Sequence, residues 1–170
     1  MYLILVASLN ENMKLANILQ EQLKNLGKKS QIINLVELNI PMYDSIKEEQ
    51  DGVPKQIEEL IIQMQNSESY IFVSPEYNFS IPPVLVNAVA WISRVGDDFR
   101  KVFTLKIIQL ATHSGGGGQD VMNAIRSQFT RLGSVVMPRE IINTYSKPMD
   151  KKSSEKILKQ FVEFTAKKES

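Results

Sequence analysis

Ser74-Pro75-Glu76-Tyr77-Asn78-Phe79-Ser80-Ile81-Pro82-Pro83 is a polar, proline-flanked stretch between two apolar ones. Before it, Tyr70-Ile71-Phe72-Val73 is short, β-branched and aromatic, with no polar alternation. That is the pattern of a strand buried on both faces in a parallel sheet. After it, the apolar segment Val84 to Trp91 predicts a helix with Pro83 near its first position, where a missing N–H costs nothing. A strand, a polar loop and a helix in that order put the loop at the carboxyl end of a strand, the edge where open α/β sheets bind ligands. The loop offers backbone N–H groups, the Asn78 amide, the Glu76 carboxylate and the Tyr77 ring, which suit a flat ligand with polar edges. It is a poor metal site, because Glu76 is its only strong ligand. Pro75 and Asn78 also read as plain turn formers, with Tyr77 in the core.

Outward from this stretch the same alternation repeats. Residues 2–7 form a first strand. A short loop leads into a helix whose Leu15, Leu19, Leu23 and Leu26 share one face, ended by Gly27. Residues 31–36 predict a second strand. Asn39 to Gly52 has no clear period and reads as a surface loop. Pro54 opens a helix with Ile57, Leu60, Ile61 and Met64 on one side, and residues 69–74 and 83–93 are the third strand and third helix. Val95 to Lys101 is a charged connection. Residues 105–111 form a fourth strand, followed by a helix with Val121, Ile125, Phe129 and Leu132 inward and Gly133 at its end. Ser134 to Met137 is a short fifth strand stopped by Pro138, Arg139 to Asp150 is irregular, and residues 154–166 form a last amphipathic helix. There are no repeats and no interdomain linker, so residues 1–170 read as one α/β domain, a parallel sheet covered by helices on both faces. Five strands with right-handed crossovers point to the flavodoxin-like three-layer sandwich, strand order 2-1-3-4-5.

In that topology the loops 7–12, 74–81 and 112–118 meet at one sheet edge. The first carries Ser8, Asn10 and Asn12 ahead of a helix N-terminus, where N–H groups, the helix dipole and short polar side chains make a phosphate site. Ser8 or Asn10 acting only as an N-cap would account for the same residues. Glu11 opposes an anion there, and Lys14, one turn in, offsets it. The third loop, after His113 and Ser114, is Gly115-Gly116-Gly117-Gly118. Such a run suits positive φ, close approach of backbone to a ligand, or a flexible tip. It is neither a Walker A sequence nor a dinucleotide fingerprint, since the spacing and the residues after it differ. His113, the only histidine, reads more readily as a hydrogen-bonded structural residue than as a catalyst. No Gly-x-Ser-x-Gly elbow exists for a serine hydrolase.

Composition narrows the function classes. A net charge of +1 argues against a protein that binds nucleic acid by neutralising phosphates. The chain has no cysteine, so disulfides, thiolate nucleophiles and iron–sulfur clusters are excluded. The start, Met1 to Val6, lacks a basic segment and a cleavage site and reads as a strand, not a signal peptide. No window approaches the roughly 20 apolar residues of a membrane span. The expectation is a cytoplasmic protein without membrane partner.

The stretch from Ser74 to Arg94 resembles the NAD(P)H-dependent FMN reductases of flavodoxin-like fold, a family that includes chromate, quinone and azo-dye reductases. The likeness lies in Pro75-Glu76-Tyr77-Asn78 followed by Pro83, Leu85, Asn87-Ala88 and Trp91 at the family's spacing. His113 to Gly118, continuing through Arg126, Leu132-Gly133 and Val136-Met137-Pro138, is similar to the family's glycine-rich flavin loop with the helix and strand behind it. Loop one departs from the pattern. Ala7-Ser8 matches the family's Gly-Ser loosely, Asn12 aligns with the family's Asn, and about three residues, including an Arg, are missing.

The resemblance implies that Ser8, Asn10 and Asn12 hold the phosphate of FMN. Pro75, Glu76, Tyr77 and Asn78 would line the ribityl chain and ring, largely through backbone, and Ser114, Gly115, Gly116 and Gly117 would run along the isoalloxazine edge. It implies hydride transfer from NAD(P)H to the flavin and onward to a small acceptor: free flavin, quinone, azo compound or metal oxyanion. No side chain need act as acid or base, so no catalytic residue is named, and no metal is implied. Family members form dimers or tetramers through the helix after Pro83, and its nearly all-round apolar face here fits a homodimer as well as a buried helix. The competing function is an FMN-binding electron carrier or regulator without NAD(P)H turnover. A receiver domain is excluded, since Ala7-Ser8 and Ser74 stand where it needs acidic residues.

Overall fold

The computed structural model describes residues 1–98 and 100–169. Among these described residues, six strands form one sheet: β1 (Tyr2–Val6), β2 (Ser30–Asn34), β3 (Ser69–Val73), β4 (Ile107–Ser114), β5 (Val135–Val136) and β6 (Ile141–Thr144). The helices are α1 (Glu11–Asn25), α2 (Ser45–Asp51), α3 (Lys55–Gln65), α4 (Pro83–Ile92), α5 (Gln119–Arg131) and α6 (Lys151–Glu169). The pairing is parallel throughout in the order β2-β1-β3-β4-β5, the order expected from the alternation of elements.

The two faces of the central strands build two cores. Leu3 and Leu5 of β1, Tyr70 and Phe72 of β3 and Ile108 and Leu110 of β4 pack against α3, α4 and α5. Tyr2, Ile4 and Val6, with Ile71, Val73 and Ile107, pack against Leu15, Leu19 and Leu23 of α1 and Leu158 and Phe161 of α6. Every residue of β1, β3 and β4 is buried, which is why these strands show no polar alternation. Helix α1 closes as foreseen: Gly27, at φ +72°, sends its N–H to Lys24 O while Lys28 N reaches Leu23 O, a Schellman end that calls for a left-handed residue.

The structure departs from the sequence reading in three places. The stretch 139–150, expected to be irregular, contains β6, which pairs with the second half of β4 as β5 pairs with the first. These two are one edge strand broken at Pro138, which has no N–H for the ladder. Two side chains fill the break: buried Gln109 donates to Arg139 O at 2.7 Å, and half-buried Arg126 donates to the carbonyls of Val136 and Met137. Because β6 is present, β4 runs on through Thr112, His113 and Ser114, which were expected in the loop. Finally, the segment after Asn39 holds α2, started by Asp44, whose carboxylate accepts from Lys47 N at 2.8 Å. No residue of α2 is buried, so no apolar period announced it. The charged connection over 95–101 contains turns and bends around Phe99, which lies outside the described residues.

Candidate functional site

The loops after β1, β3 and β4 converge at the carboxyl edge of the sheet, and two side chains tie them together. Asn12, in the first turn of α1, is buried, and its amide grips the backbone of His113: Nδ2 donates to His113 O at 3.0 Å and Oδ1 accepts from His113 N at 2.8 Å. Asn12 was expected among the phosphate ligands. Its amide is instead committed to β4, so it positions loop one. The second tie is Glu76, whose carboxylate accepts from Val121 N at 3.3 Å and lies 3.4 Å from Ser114 Oγ.

Loop one presents the start of α1. Ser8 is buried and its hydroxyl donates to Leu9 O. Asn10 occupies the N-cap position at φ +54° and ψ −116°, and its side chain makes no capping bond. The alternative that Ser8 or Asn10 is only an N-cap is therefore not what the structure contains. The first N–H groups of α1 have no side-chain cap, and Asn10 sits in a backbone conformation uncommon for a residue with a Cβ. Such strain is characteristic of functional loops. Glu11, the acidic residue that opposed an anion here, is paired with Lys14 at 2.7 Å. That hydrogen bond holds the Glu11 carboxyl below the ordinary carboxylate range.

Loop two is a tight hairpin. Tyr77 N donates to Ser80 O at 3.1 Å and Ser80 N to Tyr77 O at 3.0 Å. Asn78 and Phe79 between them have φ of +49° and +61°. Positive φ at both central positions is the type I′ pattern, for which Asn is suited and Phe is not. Pro75 is buried, whereas Tyr77 is 50% and Phe79 76% exposed, so Tyr77 does not belong to the core. The N–H groups of Tyr77 and Ser80 are spent within the hairpin, leaving the rest of the loop backbone to a ligand.

In loop three the four glycines divide. Gly118 is buried at φ +74°, and a Cβ there would lie 2.9 Å from Thr112 Cγ2. Gly116 would bring a Cβ to 3.3 Å from Glu76 Oε1. Gly115 and Gly117 are exposed, and a Cβ on either would meet no protein atom within 4 Å. The fold requires Gly118 but neither Gly115 nor Gly117, whose bare backbone is what close approach of a flat ring needs. Ser114 lies at the end of β4, its hydroxyl accepting from Gly116 N at 3.0 Å. The His113 ring is buried edge-on against exposed Tyr145, 4.8 Å between centroids. Tyr145 was missed in the sequence, since only the register of β6 brings it beside this edge.

Beyond the loops, Asn87 and Trp91 of α4 bind the segment after β2: Asn87 Oδ1 accepts from Tyr43 N at 2.8 Å and Trp91 Nε1 donates to Pro41 O at 2.7 Å. Most of α4 is thus covered by its own chain, with Val86 outward. Among the described residues no cluster of His, Asp or Glu could hold a metal ion, and no helix is long and apolar enough to cross a membrane.

This is a flavodoxin-like sheet whose ligand edge carries an open helix N-terminus on one side and bare glycine backbone on the other. Solved structures agree on the fold: the chain superposes on FerB, a flavoenzyme NAD(P)H:(acceptor) oxidoreductase of Paracoccus denitrificans, with a TM-score of 0.74 at 20% identity, covering 97% of this chain and 94% of that one. The family model for NADPH-dependent FMN reductases matches residues 2–146, and the chain belongs to that family. It is 33% identical over 101 residues to a quinone reductase of Escherichia coli, covering 58% of this chain and 52% of that protein. It is 35% identical over 78 residues to an FMN-dependent NADH:quinone oxidoreductase of Aeromonas salmonicida, covering 39% of this chain and 40% of that protein. The chain thus spans about half the length of these curated relatives.

Proposed function

We propose that this protein is an NAD(P)H-dependent FMN reductase that passes electrons from a nicotinamide, by way of FMN, to a small acceptor such as a quinone, an azo compound, a free flavin or a metal oxyanion. The observation that carries the reading is the division of labour at the sheet edge, where α1 begins without a side-chain cap and Gly115 and Gly117 have no role in the fold. The first suits a phosphate and the second an aromatic ring, and the two flank the loop after β3 on one edge of the sheet. Family membership and the quinone reductases among the relatives support the same conclusion.

In this reading the N–H groups at the start of α1, with Ser8 and Asn10, hold the FMN phosphate, and Asn12 fixes their place. Pro75, Glu76, Tyr77 and Asn78 border the ribityl chain and ring, with the half-exposed Tyr77 as a wall. Ser114, Gly115, Gly116 and Gly117 bring backbone to the ring edge. FMN, when bound, supplies an isoalloxazine that accepts a hydride and releases electrons one or two at a time. The protein's part is binding, orientation and N–H groups aimed at the ring edge, so no side chain is assigned as acid or base. The activity belongs to the cytoplasm, where reduced nicotinamides are regenerated.

We also infer a homodimer or homotetramer. Met42, Ile46, Phe79 and Val86 are exposed apolar residues on α4, loop two and the segment clamped to α4 by Asn87 and Trp91. Exposed apolar residues of this size suit burial against a second copy. Light scattering at micromolar concentration tests this, and a monomer would contradict it. Turnover of NADPH or NADH with a quinone separates the enzyme from an FMN-binding carrier, which would hold flavin without oxidising either nicotinamide.

A further inference from the structure

Two helix N-termini meet at the candidate site, and the protein treats them differently. Helix α1 opens without a side-chain cap. Helix α5 starts at Gly118, which has no side chain to cap with, yet its first turn is satisfied from a distance: Glu76, 45 residues earlier, accepts from Val121 N at 3.3 Å. A carboxylate at this end of a helix takes an orphan N–H and is favoured by the helix dipole.

The same carboxylate reaches into the glycine loop. Gly116 N donates to Ser114 Oγ at 3.0 Å, and that hydroxyl lies 3.4 Å from Glu76 Oε1. Gly116 Cα is also so placed that a Cβ would stand 3.3 Å from the same oxygen. Ser114 is buried and Glu76 half-buried, whereas Gly115, Gly116 and Gly117 are exposed. Three consecutive exposed glycines carry a high conformational entropy, so their shape depends on what holds them. The contacts that fix this segment run through Ser114 and Gly118 at its ends and Glu76 at its centre.

We propose that Glu76 is a positioning residue that latches the glycine loop. Its carboxylate caps α5, anchors Ser114 and, through the Ser114 hydroxyl, Gly116, and so couples the loop after β3 to the loop after β4. The latch also gives the site its polarity. With the α5 N-terminus occupied by the protein's own carboxylate, a ligand's anionic group is directed to α1, and the glycine segment is left to an uncharged ring edge. The latch stands on these contacts alone; its consequence for FMN rests on the function proposed above.

The test is amide hydrogen exchange on the full-length protein without FMN, together with FMN binding followed by flavin fluorescence, for wild type, Glu76→Ala and Glu76→Gln. Glu76→Ala is expected to speed exchange at Gly116 and Val121 at least tenfold and weaken FMN binding at least tenfold, while the amides of β1 and β3 keep their protection. Glu76→Gln retains one acceptor oxygen and is expected to recover part of both losses. Unchanged exchange at Gly116 and Val121 in Glu76→Ala would overturn the latch. So would equal loss of protection in β1 and β3, which would make Glu76 a residue of global stability. Faster loop exchange with unaltered FMN affinity would overturn its role in the site. Failure of the wild type to bind FMN would refute the proposed function, and the exchange data would still decide the latch.

Discussion

The side-chain amide of Asn12 spans the backbone of His113, donating to its carbonyl at 3.0 Å and accepting from its N–H at 2.8 Å. One residue at the start of α1 thereby fixes the end of β4, 101 positions away, and sets loop one against the glycine loop. Replacing Asn12 by Ala would remove two buried hydrogen bonds and strand the His113 N–H, at a cost of about 2–3 kcal/mol. For a chain of this size that is roughly 5–10 °C in Tm. Asn12→Asp, which turns a carboxylate oxygen towards His113 O, should be no better. Thermal unfolding checks both, and a Tm unchanged in Asn12→Ala would contradict the clasp.

The four glycines should separate stability from binding. Gly118→Ala combines positive φ with a Cβ 2.9 Å from Thr112 Cγ2 and should destabilise the fold by about 2 kcal/mol or more. Gly117→Ala and Gly115→Ala meet no protein atom and should leave stability within about 0.5 kcal/mol of wild type. Both should nevertheless weaken FMN binding, since the added methyl group stands where the ring is expected. Denaturant unfolding and flavin titration on the three variants test the division. Unaffected FMN affinity in both outer variants would remove the glycine segment from the site.

Loop one carries an opposing charge that can be removed. Glu11 is bound to Lys14, which keeps its carboxyl below the ordinary carboxylate range. The pair's contribution is present above the ordinary carboxylate pKa and is lost only as pH falls through the lowered value, so Glu11 stays charged at neutral pH. Glu11→Gln removes that charge and releases Lys14. FMN should then bind more tightly, by roughly two- to five-fold in Kd, with the gain fading at high salt. Weaker binding in this variant would argue against a phosphate at the start of α1.

The order of the central elements was legible because buried parallel strands and one-faced helices each leave a period, as in Tyr70 to Val73 and in Leu15, Leu19 and Leu23. The meeting of three loops at one edge was legible because the strand order 2-1-3-4-5 brings the loops after β1, β3 and β4 together. Strand β6 was not legible, because Pro138 ends one piece of an edge strand and the next depends on Gln109 and Arg126 to bridge the break. Helix α2 left no apolar signal: it is started by the Asp44 cap, and it is Tyr43, just before it, that Asn87 of α4 holds. The roles of Asn12 and Glu76 were hidden for another reason. Both residue types suit direct contact with a ligand, and only the fold reveals that their polar atoms are engaged with His113, Val121 and Ser114.

The most direct test of the account is the visible absorbance of the purified protein, titrated with FMN and then with NADPH or NADH in the absence of air. Uptake of FMN with an altered flavin spectrum is expected, followed by loss of the oxidised-flavin band on adding a nicotinamide and its return on adding a quinone. Flavin bound but reduced by neither nicotinamide would make the protein a carrier, and no flavin uptake would contradict the site itself.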